Sequence, residues 1–210
     1  MSDTHLYVAL VYLIAAIPYA WLGLYAWRKR PAVAVTPFAW AMLGLSIWAF
    51  TYSLEIFSPD LQTKLFIVNF EYIGIITVPV FLLFFSLEFT GKSHLLTRQI
   101  RLLLWSIPSL ALILVWTNSI HHLMWNQETI SVSVRGLELL SVHFLGVFWV
   151  HAAYSYILVA FANILLIIEL LQRPSIYRIQ ISFIVLGILI PLIGNFLFIT
   201  GNDPIKDLDT

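Results

Sequence analysis

A chain of 210 residues that is 60% hydrophobic and only 10% charged has too few charges to clothe a water-facing globule, in which about a quarter of residues are charged. Its formal net charge of zero supplies no basic field for nucleic acid, and the lack of cysteine excludes disulfide frameworks, thiolate metal sites and thiol nucleophiles together. The surface of such a chain must meet lipid, so the bilayer is its first partner.

Crossing the hydrocarbon takes about 20 apolar residues as helix, and residues 6–27 form the first such run. It is too long for a cleaved signal peptide, and its basic cluster, Arg28, Lys29 and Arg30, follows the run instead of preceding it; a retained helix is predicted. Pro31 and Pro37 bracket a turn into a second predicted helix, 36–57, and Pro59 marks the turn into a third, 65–89. A fourth spans 100–118, a fifth 144–171 and, after Pro174, a sixth 179–199. The expected fold is therefore a single all-α domain, a polytopic transmembrane bundle of six helices. Pro79, Pro108 and Pro191 fall inside predicted helices, where a membrane bundle tolerates them because neighbouring groups satisfy the freed carbonyls. The one sizeable loop is 119–143. Residues 129–134 alternate polar and apolar, Arg135 and Gly136 can turn, and 137–142 is apolar enough to return as a strand. A hairpin over the bundle mouth and an irregular connector on the membrane fit that pattern equally.

Lys and Arg beside short loops stay on the cytoplasmic side. One set of loops holds Arg28, Lys29, Arg30, Lys92, Arg98, Arg101, Arg173 and Arg178, eight of the eleven cations; the other holds Lys64, Arg135 and Lys206. A multi-pass protein of the plasma membrane with its N-terminus and its long loop outside is expected.

Ionisable groups inside a bilayer are costly unless they face the bundle interior, a wet cavity or one another, so their positions point to function. On the second predicted helix Trp48, Tyr52 and Glu55 share one face of the outer half. Glu71 and Tyr72 lie about two turns, roughly 9 Å, inside the third, which is deep for a short carboxylate. His151 and Tyr154 share a side of the fifth, and Asn195 lies near the outer end of the sixth. The expected site is an outward-opening ligand pocket formed by Trp48, Tyr52, Glu55, Glu71, Tyr72, His151, Tyr154 and Asn195, for a small-molecule or lipid-soluble ligand. An interfacial aromatic belt with hydrogen-bonded polar groups is the plainer account of the same residues.

His121, His122, His143 and His151 all fall at the outer side, but none is spaced for a shared helix face, so they are a weak set of metal ligands. No metal and no cofactor is expected. A retinal-type pigment needs a Schiff-base lysine within a helix, and Lys29, Lys64, Lys92 and Lys206 are all read as lying outside the spans. No phosphate loop or nucleophile motif is present, so the chain is not read as an enzyme. A small-solute transporter or channel subunit and a passive membrane anchor are the alternatives to a sensor.

Several segments together resemble a known family: WAMLGLSIWAFTYSLE (Trp40 to Glu55), FEYIGIITVP (Phe70 to Pro79), LEFTGK (Leu87 to Lys92), NSIHHLMW (Asn118 to Trp125) and GVFWVHAAYSY (Gly146 to Tyr156). They are similar to the N-terminal seven-helix sensor region of bacterial and archaeal histidine kinases and some diguanylate cyclases. The resemblance implies an outward N-terminus, a stimulus-sensing domain of a two-component receptor, and a homodimer formed through a cytoplasmic output domain. It also implies a seventh helix after a segment such as Pro204 to Thr210. That helix and the output domain are absent from these 210 residues.

Overall fold

The computed structural model describes residues 3–132, 138–172, 179, 181–189, 193 and 196. Its elements are α1 (Asp3–Trp27), α2 (Val35–Phe57), α3 (Leu61–Phe89), α4 (Arg98–Trp116), a single turn α5 (Asn118–His121), the strands β1 (Trp125–Val132) and β2 (Glu138–Phe144), and α6 (Gly146–Gln172). Five helices are long and apolar enough to cross a membrane. Residues 181–189 are helical too; much of the sixth predicted span, with Pro191 and the site candidate Asn195, lies outside the described residues. The protein is an all-α membrane bundle with one end capped by β-structure. Below, the hairpin end is the one carrying β1 and β2, and the basic end is the one carrying Arg28, Lys92 and Arg98.

Burial identifies the axis of the bundle. In its most apolar stretch α3 is 72% buried, against 17% for α1 and α4, because α3 packs against α2, α4 and α6 while α1 rests chiefly on α2. The ends of α3 are set by local chemistry. Pro59 stops α2, and the Asp60 side chain caps the new helix by accepting from Thr63 N at 2.8 Å; that bond holds the exposed Asp60 carboxyl below its usual range. At the basic end Gly91 takes φ +72°, a left-handed conformation that costs glycine little. This lets Lys92 N donate to Leu87 O and Gly91 N to Glu88 O, the double bond of a Schellman stop.

The helices meet through small and polar residues, as they must where lipid removes the hydrophobic drive between them. Ser46 and Ser53, seven residues apart on α2, donate to the α1 carbonyls of Ala16 (2.9 Å) and Ala9 (2.8 Å), themselves seven apart in the antiparallel partner. Gly44 and Gly74 form the crossing of α2 over α3, where both backbones come close. Pro108 has no N–H to offer the Leu104 carbonyl four residues before it, and Tyr154 Oη on α6 donates to that carbonyl at 2.7 Å.

The loop forms a hairpin. β1 and β2 pair antiparallel, with Trp125 opposite Phe144 and Val132 opposite Glu138, and with an irregularity between Asn126 and Thr129, where Gln127 has φ +53°. The predicted turn at Arg135 and Gly136 lies outside the described residues. Strand β1 starts at Trp125, earlier than the alternation indicated, because Asn118 organises its base. The Asn118 amide donates to Trp125 O (3.0 Å) and accepts from Met124 N (3.0 Å), while buried. Asn118→Ala leaves these backbone groups buried and unpaired, at about 1–3 kcal/mol. Faster hydrogen exchange over residues 124–132, with the amides of α6 unchanged, is the expected result; unchanged exchange in the strand would show that the side chain does not hold it.

One sequence expectation is corrected here. The third helix begins at Leu61, not at residue 65, so Lys64 is inside a helix and not in a loop. Glu71 is then ten residues from the helix start, roughly 15 Å along the axis at 1.5 Å per residue, deeper than the two turns expected.

Candidate functional site

The hairpin rests on the bundle by two apolar contacts. Leu139 of β2 packs with Ala9 of α1 and Ile56 of α2. Met124 and Trp125 pack with Tyr72 of α3, Val115 of α4, and Phe148 and Ala152 of α6. At this end the buried charged groups Glu55, Lys64 and Glu71 are gathered on α2 and α3, and the buried imidazole of His151 comes from α6.

Lys64 is fully buried. It projects from the first turns of α3 onto the end of α2, where Nζ donates to the Glu55 main-chain carbonyl at 2.7 Å and lies 3.5 Å from Glu55 Oε1. The geometry follows from the tight Ser58–Asp60 connection: Pro59 and the Asp60 cap turn the chain back, so the last turn of α2 and the first of α3 are neighbours. Leu139 of β2 packs on Ile56, the next residue after Glu55, so the hairpin meets α2 beside the ion pair. Deeper on α3, Glu71 is 5% exposed, and the charges nearest to it are Glu55 and Lys64. Glu71 Oε1 is buried with no hydrogen-bond partner. A buried acceptor in this state ordinarily awaits water, a proton or a ligand.

Tyr72, one residue on, is rotated about 100° from Glu71 around the helix and faces the other way. Its ring lies 5.8 Å from that of Trp125 and 6.1 Å from that of His151 on α6. His151 is 4% exposed, with Ser155 Oγ 3.5 Å from Nε2. Glu71 and His151 are thus both interior, on different flanks of α3, with Tyr72 contacting the histidine.

The remaining expected site residues are placed otherwise. Tyr52 turns to α1, edge-on to Tyr12 at 4.7 Å. Tyr154 turns to α4 and satisfies the carbonyl freed by Pro108. Trp48 lies at the α2–α3 crossing, its Cβ 2.8 Å from where a Cβ on Gly74 would stand. The structure pairs Glu55 with Lys64, buries Glu71 deeper on α3 within reach of their charges, pairs Tyr72 with His151, and assigns Tyr52, Tyr154 and Trp48 to helix contacts.

Lys64 is the residue that sequence reading missed. The signal was present: Pro59 followed by Asp60, with Thr63 three residues on, is a helix start, and it places Lys64 inside the helix. The reasoning that excluded a Schiff-base lysine by its loop position therefore loses that premise; in the structure the Lys64 amine is engaged by Glu55. Trp125 and Asn118 belong to the family-like segment NSIHHLMW but were not among the expected site residues, since their roles arise only when the hairpin folds back.

The outer histidines are dispersed. His121 bonds Thr117 Oγ1 (3.0 Å) and accepts from Leu123 N (3.0 Å), His122 ends the α5 turn with φ +49°, and His143 is exposed on β2. Among the described residues no group of three His, Asp or Glu side chains could hold a metal ion. An apolar groove of about 270 Å³ lies lower in the bundle, between α2, α3 and α4, walled by Trp40, Ile47, Ile73, Phe81 and Trp105. None of the buried charged groups lines it.

A family model described as the N-terminal 7TM region of histidine kinase matches residues 11–210. No curated protein and no solved structure matches the chain.

Proposed function

The chain belongs to the family of N-terminal 7TM regions of histidine kinases, and from that premise we propose that its hairpin end receives the stimulus of a two-component receptor. The family assignment makes this a membrane-embedded, multi-pass sensing region. Catalysis belongs to an output domain, a kinase or cyclase, on the cytoplasmic side, through which the receptor forms a homodimer.

The observation that carries the reading is the buried, unpartnered Glu71 oxygen beside the Glu55–Lys64 pair. Bundles hold such groups where a polar ligand, an ion or a proton is handled. The partner in this reading is a small or lipid-soluble ligand, reaching Glu71 from outside or from the lipid. Tyr72 and His151 form the second flank of the site, and Trp48 lies at the helix crossing beside it. Because the hairpin touches α1, α2, α3, α4 and α6 at once, a ligand that shifts it biases the packing of all five helices, and the seventh helix passes that shift to the output domain. A full response requires several kcal/mol of differential affinity between the two arrangements.

The cation bias of the loops sets the hairpin end outside and the N-terminus with it. A cysteine introduced at Ser131, in a chain that has none, is expected to react with an impermeant thiol reagent on intact cells, whereas one introduced at Lys92 is protected; the reverse pattern would invert the topology. In the receptor that carries this region, Glu71→Gln is expected to shift the dose-response curve of the kinase output by tenfold or more, about 1.4 kcal/mol of lost differential binding, with expression unchanged. A superimposable curve would remove Glu71 from the sensing site.

A further inference from the structure

Three ionisable side chains are buried together at the hairpin end, and their charges do not cancel. Glu55 is 3%, Lys64 0% and Glu71 5% exposed: two carboxylates against one ammonium. Lys64 donates to the Glu55 main-chain carbonyl and lies 3.5 Å from Glu55 Oε1, an ion-pair contact in which that oxygen accepts no hydrogen bond. Glu71 Oε1, shut away from solvent, has no partner. The groups around it do not supply the missing charge. From α2 comes Glu55, a second anion; from α3 itself, Lys64. His151 of α6 lies beside Tyr72 with Ser155 as its polar neighbour. The arginines of α4, Arg98 and Arg101, are at the opposite end. On the hairpin, Glu128 is 3.5 Å from the Asn118 amide, and Glu138 and His143 are exposed. Among the described residues Lys64 is the single lysine or arginine at this end.

We propose that Glu71 is a binding site for one monovalent positive charge, brought by a proton or by a small primary ammonium group, which completes the Glu55–Lys64–Glu71 cluster beneath the hairpin. The deficit is a single charge, so a divalent ion overshoots it, and calcium would also need six to eight oxygen ligands where no three-ligand group exists among the described residues. A proton needs one acceptor, which the Glu71 carboxylate supplies; a primary ammonium has three N–H donors, for which the Glu71 carboxylate and Glu55 Oε1, likewise without a hydrogen bond, are the acceptors on offer. Because Leu139 of β2 packs on Ile56, the neighbour of Glu55, filling the deficit alters the electrostatics beside a contact that anchors the hairpin. As a mechanism of sensing this rests on the reading of the hairpin end as the stimulus site; as a charge site it stands on the burial and the unpaired oxygen.

The test is infrared difference spectroscopy on the purified 210-residue chain in phosphatidylcholine nanodiscs, with protons and methylammonium chloride as probes and tetramethylammonium chloride as the ionic-strength control. A proton at the site is expected to give a carboxylic-acid carbonyl band that alkaline buffer removes. An ammonium at the site is expected to give a shift of a carboxylate stretch with methylammonium that tetramethylammonium does not reproduce. Either signal must vanish in Glu71→Gln, or in Glu71→Met should the glutamine variant fail to fold. Spectra indifferent to both probes, or signals that persist in the Glu71 variants, overturn the proposal. Should the Glu71 band be present while the receptor's dose-response is untouched by Glu71→Gln, the charge site stands and its part in sensing falls.

Discussion

Lys64→Met is expected to destabilise the bundle by about 3–5 kcal/mol, the cost of stranding a buried charge when one partner of an ion pair is removed. Lys64 and Glu55 are both essentially without solvent contact, so water cannot rehydrate the Glu55 carboxylate without opening the hairpin. The double variant Lys64→Met with Glu55→Gln carries no stranded charge from this pair and is expected to recover most of the loss, while Glu55→Gln alone leaves Lys64 buried with only the main-chain carbonyl of residue 55 and is costly too. Reversible unfolding in mixed micelles, followed by the fluorescence of the eight tryptophans, gives the four corners of the cycle. A coupling near zero would mean that the two groups do not act as a pair, and the charge count made for Glu71 would have to be redone.

Gly74→Ala is the second large effect. A Cβ at position 74 would stand 2.5 Å from the Gly44 carbonyl oxygen and 2.8 Å from Trp48 N and Cβ. The first of these neighbours is backbone and cannot rotate away, so α2 and α3 must separate, at the 1–3 kcal/mol typical of overpacking. Gly23→Ala is a close comparison: its nearest neighbours are Leu43 Cγ and Cδ2 at 2.9 and 3.0 Å, a side chain that can change rotamer, while the backbone neighbour, Ala39 O, stands off at 3.2 Å, and a smaller effect is expected. Gly146→Ala meets nothing within 4 Å and serves as the neutral control. Equal melting midpoints for Gly74→Ala and Gly146→Ala would show that the crossing is not a close one. Trp48 and the groove-lining Ile73 flank the crossing, so any rearrangement of α2 against α3 must pass through this contact.

The first five spans, their order and the membrane class were legible in the chain because hydropathy is summed over some 20 consecutive residues and needs no partner. So were the cation bias and, through Arg135-Gly136 and the alternation around it, the possibility of a hairpin. The depth of Glu71 also stood out as a carboxylate in an apolar run. Tyr154 illustrates the limit. Its i+3 spacing from His151 placed both on one side of a helix, yet the tyrosine hydroxyl goes to a carbonyl on α4 that is free only because Pro108 is there, a pairing between residues 50 positions apart. Trp48 and Tyr52 share a helix face with Glu55, but that face is divided among α1, α3 and the hairpin.

Membrane insertion, helix spans and the residues able to carry charge into the bilayer are properties of contiguous sequence, so reading along the chain suffices for them. Which carboxylate receives the one buried ammonium is different. It depends on the local Pro59–Asp60 turn, but also on two glycines 30 positions apart bringing α2 and α3 close and on a hairpin folding over both. Periodicity reports only which way a side chain leaves its own helix, and the folded bundle decides what it meets there.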